Sequence, residues 1–149
     1  MDVARIMEAI IAAEHETGRE REHFWSIGLN TANKIKYIEL ASLGGLDRSY
    51  ITPRQTFRRA MMRACKEIIL CHNHPSGNEM PSEEDKLLTR QFRAAGQILG
   101  ISVLDHIILG GFQYYSFIDY DMFKDDPVNL SKQISEYSVT TNKRKKIKS

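Results

Sequence analysis

Apolar residues at the start of the chain recur at helical spacing. Val3, Ile6, Met7, Ile10 and Ile11 share one face, Asp2 stands where a cap is needed and Gly18 lies beyond the end, so residues 3–15 are expected to be a helix with one buried side. The period then changes. HFWSIGLN (23–30) and KIKYIELASL (34–43) are rich in aromatic and β-branched residues with polar residues at 31–33, which predicts two strands joined by a short turn, the second broken by Gly44-Gly45. Thr52-Pro53-Arg54-Gln55 reads as a helix start, with Thr52 as cap, Pro53 at the first helical position and Gln55 able to complete a capping box. Phe57, Ala60, Met61 and Ala64 carry that helix to about residue 65. EIILC (67–71) is a short apolar run, the signature of a strand buried on both faces. Beyond a polar loop, Leu88, Phe92, Ala95 and Leu99 mark a helix over 82–99 that Gly100 ends. Ile101–Leu109 and Gln113–Ile118 follow as strands about a tight hairpin at Gly110-Gly111.

The order α-ββ-α-β-loop-α-ββ implies a mixed sheet with helices packed on it, an α/β or α+β domain. Its 149 residues, 42% apolar and 27% charged, suit one globular domain, expected over 1–124. No apolar run approaches the roughly 20 residues that span a bilayer, so no membrane partner is expected. Asp2 and Glu8 stand where a signal peptide would be basic and then apolar, and Cys65 and Cys71 cannot build a disulfide framework; both point to a reduced, cytoplasmic setting.

Charge changes the picture only at one end. The formal net charge is +2, yet Lys143, Arg144, Lys145, Lys146 and Lys148 crowd into the last seven residues, leaving 16 basic against 19 acidic residues elsewhere. Residues 125–149, where apolar density falls, read as a weakly ordered basic tail, able to hold a nucleic-acid backbone loosely or simply to stay solvated.

The chemistry concentrates in His72-Asn73-His74-Pro75-Ser76-Gly77-Asn78-Glu79-Met80-Pro81-Ser82-Glu83-Glu84-Asp85. Histidines two apart at a strand end project to one side, and a loop with Pro75, Gly77 and Pro81 can return a carboxylate, Asp85, as a third ligand. Two imidazoles and a carboxylate leave one position open on Zn²⁺, as catalytic sites do. A water there has its pKa lowered to about 7, and a general base must stand nearby. Ser82-x-x-Asp85 is equally an ordinary capping box, and the two roles are compatible.

HxHPxxxxxxSxxD resembles the JAMM motif of the JAB/MPN metalloprotease superfamily. The text IILCHNHPSGNEMPSEEDKLLTRQFRAAGQILGISVLDHIILG resembles its bacterial RadC branch, and the likeness extends from about Glu20 through Phe117. The resemblance implies a deaminase-like three-layer α/β/α sandwich around a mixed sheet. It further implies His72, His74 and Asp85 as Zn²⁺ ligands and Ser82 as the serine that bonds the attacked carbonyl oxygen. Glu22, in EREHFW, matches the upstream glutamate that serves as general base; Glu20 competes, and Glu14 and Glu16 are weaker candidates. The activity implied is that of a zinc metallohydrolase acting on peptide or isopeptide bonds. RadC-type proteins carry a helix-hairpin-helix region ahead of this domain, and these 149 residues have no room for it, so DNA contact through such a region is not expected.

The rivals are a non-proteolytic accessory module in DNA repair or mobile-element biology, and a metal-dependent phosphodiesterase. Zinc deamination is excluded because H-x-E and P-C-x-x-C are absent. HNHP is not an HNH nuclease motif, whose three residues are dispersed, and Asn73 is expected only to tighten the loop. Cys71 reads as core, Asp105-His106 as a buried structural pair, and Phe24, Trp25, Tyr114 and Tyr115 as core or edge aromatics.

Overall fold

The computed structural model describes residues 2–14, 18, 20–44 and 51–125. Its elements are α1 (Val3–Ala12), β1 (His23–Leu29), β2 (Ile35–Leu43), α2 (Pro53–Met62), β3 (Glu67–Asn73), α3 (Glu83–Leu99), β4 (Ser102–Gly110), β5 (Gln113–Ser116) and α4 (Met122–Asp125). Residues 126–149, and with them the basic tail, lie outside the described residues.

Five strands form one sheet in the order β2-β1-β3-β4-β5. β1 is antiparallel to β2 and β3, β3 and β4 are parallel, and β5 returns antiparallel to β4. The parallel pair needs a crossover, which α3 supplies. Side chains alternate across the sheet and make a main core on each face, with a smaller cluster of Ile108, Tyr115 and Phe117 beside them. On one face Val3, Ala4 and Met7 of α1 pack against Trp25, Ile27, Ile69, Cys71 and Ile107. On the other, Phe57 and Ala60 of α2 and Leu88 and Phe92 of α3 pack against Phe24, Ile68, Leu70 and Val103. The result is a three-layer α/β/α sandwich with a mixed sheet.

Local chemistry explains most boundaries. Asp2 caps α1 by accepting from the Arg5 N–H, and Thr52 caps α2 by accepting from the Gln55 N–H. Gly100 ends α3 at φ +70°, a conformation that disfavours any side chain. Four features differ from the sequence pattern. α1 stops at Ala12. β3 runs on to Asn73, because β1 and β4 continue beside it with Phe24 opposite His72 and Leu109 opposite Asn73. The α2 stripe is rotated: Thr56, Phe57 and Ala60 are buried while Met61 is 50% exposed and Ala64 lies past the helix. The hairpin turns at Gly111-Phe112, one residue later than expected, and β5 ends early at Ser116 before the short α4. Among the described residues, no helix is long and apolar enough to cross a membrane.

Candidate metal centre

The ends of β3 and β1 and the start of α3 meet at one edge of the sandwich. His72 is fully buried on the α2/α3 face, and His74 follows one residue past the strand. The His74 N–H donates to the Leu109 carbonyl (2.8 Å), which keeps the chain in sheet register before Gly77 N–H, donating to the His74 carbonyl (2.9 Å), turns it. The loop then folds back against β4 at Gly110, where a Cβ would sit 2.5 Å from the Glu79 nitrogen, so only glycine permits the approach. This brings the first turn of α3 to the histidines.

Ser82 and Asp85 form both halves of a capping box. The Asp85 N–H donates to Ser82 Oγ (3.1 Å), and the Ser82 N–H donates to Asp85 Oδ2 (2.8 Å). Asp85 is fully buried, at a helix N-terminus that favours its negative charge. Its Oδ1 lies 3.2 Å from His72 Nε2, its Oδ2 lies 3.3 Å from His74 Nε2, and the two Nε2 atoms are 3.0 Å apart. Bonds of about 2.0–2.1 Å at tetrahedral angles hold neighbouring donors roughly 3.3 Å apart. Each imidazole meets its own Asp85 oxygen, at spacings like those of neighbouring donors around one small cation.

The remaining ring nitrogens orient both imidazoles. His74 Nδ1 meets the Asn78 carbonyl at 2.7 Å, which requires a proton on Nδ1 and turns the Nε2 lone pair inward. His72 Nδ1 meets His106 Nε2 at 2.8 Å, and His106 Nδ1 meets Thr89 Oγ1 at 2.6 Å. The Thr89 hydroxyl donates to the Asp85 carbonyl (2.7 Å). One assignment satisfies the whole chain: His72 donates from Nδ1 to His106, His106 donates from Nδ1 to Thr89, and Thr89 donates to Asp85. It leaves His72 Nε2, like His74 Nε2, as a lone pair facing the carboxylate. Outer partners of this kind set ligand orientation and basicity. The His106 ring is fixed in turn by stacking on Phe117 at 5.1 Å and by the edge of Phe24 at 5.9 Å.

Electrostatics follow the same geometry. In the ion-free chain, where each Nε2 can carry a proton and donate, burial alone would raise the Asp85 carboxyl, but the hydrogen bonds from His72 and His74 outweigh it and hold the group well below the usual carboxylate range. His74 is shifted upward, chiefly by its hydrogen bond to Asp85 and against the effect of its own burial.

Glu22 arrives from the other strand. It immediately precedes β1, and extending the β1–β3 register from Phe24 opposite His72 puts Glu22 opposite His74, on the same face. Its carboxylate falls with the histidine nitrogens in a group whose atoms all lie within 4.8 Å of one another, a set that can itself hold a metal ion. Glu14 is engaged elsewhere, with Oε2 3.0 Å from His23 Nε2, on the opposite face. Glu20 is exposed, and Glu16 lies outside the described residues. Cavities of about 420, 530 and 690 Å³ lie along α2 and beside α1, and none of the three is lined by His72, His74, Asp85 or Glu22.

Residues 1–122 match the family described as the RadC-like JAB domain. The chain belongs to that family. Among proteins named UPF0758, one from Desulforudis audaxviator is 46% identical over 97 residues, which is 65% of this chain and 42% of that protein. Another from Listeria innocua is 44% identical over 103 residues, 69% of this chain and 46% of the relative. A third, from Caldanaerobacter subterraneus, reaches 50% over 90 residues, 60% of this chain and 39% of its own. The chain thus spans less than half the length of these curated relatives.

Within this JAB domain, sequence reasoning missed the parts that belong to no motif. His106 is buried as expected, but its ring reaches His72, while Asp105 turns away to accept from the His106 N–H, the Ser116 hydroxyl and the Ile118 N–H. Thr89, one turn after Asp85, carried no signal beyond its helical spacing. Asn73 does more than tighten a loop, since its amide bonds the β1 approach.

Proposed function

We propose that this RadC-like JAB domain is a zinc-dependent hydrolase of peptide or isopeptide bonds. The observation that carries the reading is the convergence of His72 Nε2, His74 Nε2 and the Asp85 carboxylate at 3.0–3.3 Å, with both Nδ1 atoms tied to fixed acceptors. His72, His74 and Asp85 hold the ion. Zinc, when bound, supplies Lewis acidity for a carbonyl and brings a water's pKa down to about 7. Glu22 accepts the proton of the attacking water and returns it to the departing amine. The Ser82 oxygen already accepts from the Asp85 N–H, so its own proton is directed outward, to donate to the carbonyl oxygen as charge builds there. Burial of Asp85 and His72 keeps this side of the site out of water, where each electrostatic interaction counts for more.

Metal analysis of the purified chain should find about one zinc per molecule, followed by turnover of a fluorogenic peptide and isopeptide panel. Glu22→Gln should keep the metal and lower hydrolysis by at least about 10²-fold. Asp85→Asn should lose both, a neutral amide being a poor ligand. Metal lost by Glu22→Gln and kept by Asp85→Asn would reverse the roles. Turnover of a nitrophenyl phosphodiester with no peptide cleavage would replace this reading with phosphodiesterase chemistry, and zinc without turnover of either would favour an accessory module in DNA repair. Cytoplasmic placement belongs to the same reading. We further propose that Lys143–Lys148 gives weak, salt-sensitive contact to nucleic acid; duplex-DNA binding unchanged after removal of 143–149 would refute it.

A further inference from the structure

Asn73 sits between the two histidines in sequence and points to the opposite face of the sheet. It is 6% exposed. Its Oδ1 accepts from the His23 N–H at 2.6 Å, and its Nδ2 donates to the Arg21 carbonyl at 3.0 Å. Those two groups flank Glu22 on either side. The register that sets Phe24 opposite His72 would continue with His23 opposite Asn73, and there the side-chain amide makes the link. A primary amide carries one acceptor and one donor edge in a plane, as a peptide unit does, so it can grip consecutive peptide groups at once. The Arg21 carbonyl also accepts from His23 Nδ1 (2.8 Å), and the Glu22 carbonyl accepts from the Gly44 N–H (2.8 Å). The backbone of Glu22 is therefore held before, at and after the residue.

We propose that Asn73 is a positioning residue that sets the Glu22 carboxylate over the two imidazoles, a role that rests on the reading of Glu22 as general base. The amide touches neither imidazole, so it acts through the Glu22 backbone. Aspartate at this position keeps the acceptor for the His23 N–H but turns an anionic oxygen on the Arg21 carbonyl; alanine keeps neither bond.

The test uses the full chain loaded with zinc and acetohydroxamate as probe, a chelator whose bound form is stabilised by a neighbouring carboxylate that takes its proton. Zinc content, probe affinity and amide exchange at His23 are measured for Glu22→Gln, Asn73→Ala, Asn73→Asp and the Glu22→Gln/Asn73→Ala pair. Zinc should stay near one per chain throughout. Glu22→Gln and Asn73→Ala should each weaken the probe by about 10-fold or more, in the range found for outer partners of metal sites. The double variant should bind as Glu22→Gln alone does, because the two residues act through one carboxylate. Asn73→Asp should fall between, with His23 exchange still protected, and it decides the matter if the alanine variant does not fold. Losses that multiply in the double variant, or unchanged probe affinity in Asn73→Ala beside a weakened Glu22→Gln, would overturn the proposal alone. Unchanged affinity in Glu22→Gln would instead remove the base reading beneath it.

Discussion

Two histidine–carboxylate contacts lie on opposite faces of the sheet, and only one can hold an ion. On the α1 face, His23 Nε2 is 3.0 Å from Glu14 Oε2, Nδ1 is 2.8 Å from the Arg21 carbonyl, and the ring stacks on Trp25 at 5.0 Å. On the other, His72 and His74 meet Asp85 at 3.2 and 3.3 Å. Distance barely separates them, although Glu14 is part-exposed where Asp85 is fully buried. What differs is convergence. His23 spends its nitrogens on two separate protein partners and fastens the end of α1 to the approach of β1. His72 and His74 each tie Nδ1 to a separate partner, and both Nε2 atoms turn toward the one capped carboxylate. Proximity makes a contact, whereas a shared focus with oriented lone pairs makes a candidate metal centre.

The largest effect should come from removing that focus. His72→Ala/His74→Ala is expected to abolish stoichiometric zinc by metal analysis, while His23→Ala keeps zinc and loses thermal stability, because it removes the buried ring that ties Glu14 to the Arg21 carbonyl. Equal zinc loss in both variants would erase the distinction between the two faces.

A smaller effect should follow from loosening one ring. His106→Ala leaves His72 in place but removes the acceptor at its Nδ1, so zinc affinity measured by competition with a chelator should fall about 10- to 100-fold. His106→Asn, which restores a polar partner, should recover part of that loss. Wild-type affinity in the alanine variant would make His106 mere core.

The smallest is a pH dependence, and its sign differs between loaded and unloaded protein. The His74 pKa is raised, so in the metal-free chain its stabilising contact with Asp85 is fully present below the unfolded value of about 6.5 and is lost as pH rises through the folded value. The Asp85 pKa is depressed, so its share is present above about 3.9 and is lost as pH falls toward the folded value. Metal-free protein should therefore melt higher at pH 6 than at pH 8. Zinc requires a neutral His74, so the rise in melting temperature on adding zinc should be larger at pH 8. A zinc-induced rise independent of pH would separate His74 from the ion.

Much of this was legible because it depends on neighbours in sequence. Helical and strand periods are local energetics, as are the caps at Asp2, Thr52 and Ser82 and the stop at Gly100, and these caps and this stop stand where the pattern puts them. The misjudged α2 stripe has the same lesson in reverse: Met61 and Ala64 are apolar, but burial is decided by which side of the helix the sheet covers, and that side holds Thr56.

The sequence by itself determined the donor types and their spacing: two imidazoles on one side of a strand end, and a carboxylate fixed at the first turn of a helix. Period-two alternation and capping are short-range physics, so the text 72–85 carries them whole. Which glutamate meets the histidines, and what lies behind them, only the tertiary structure decided. Glu14 and Glu22 are eight residues apart and equally charged, yet the antiparallel register of β1 on β3 sends one to the imidazoles while His23 engages the other. His106 reaches His72 because β4 lies parallel to β3, and Asn73 reaches Arg21 and His23 because β1 begins beside the end of β3. Those contacts join residues 34 to 52 apart in the chain, and no local preference records a pairing that exists only once the strands are side by side.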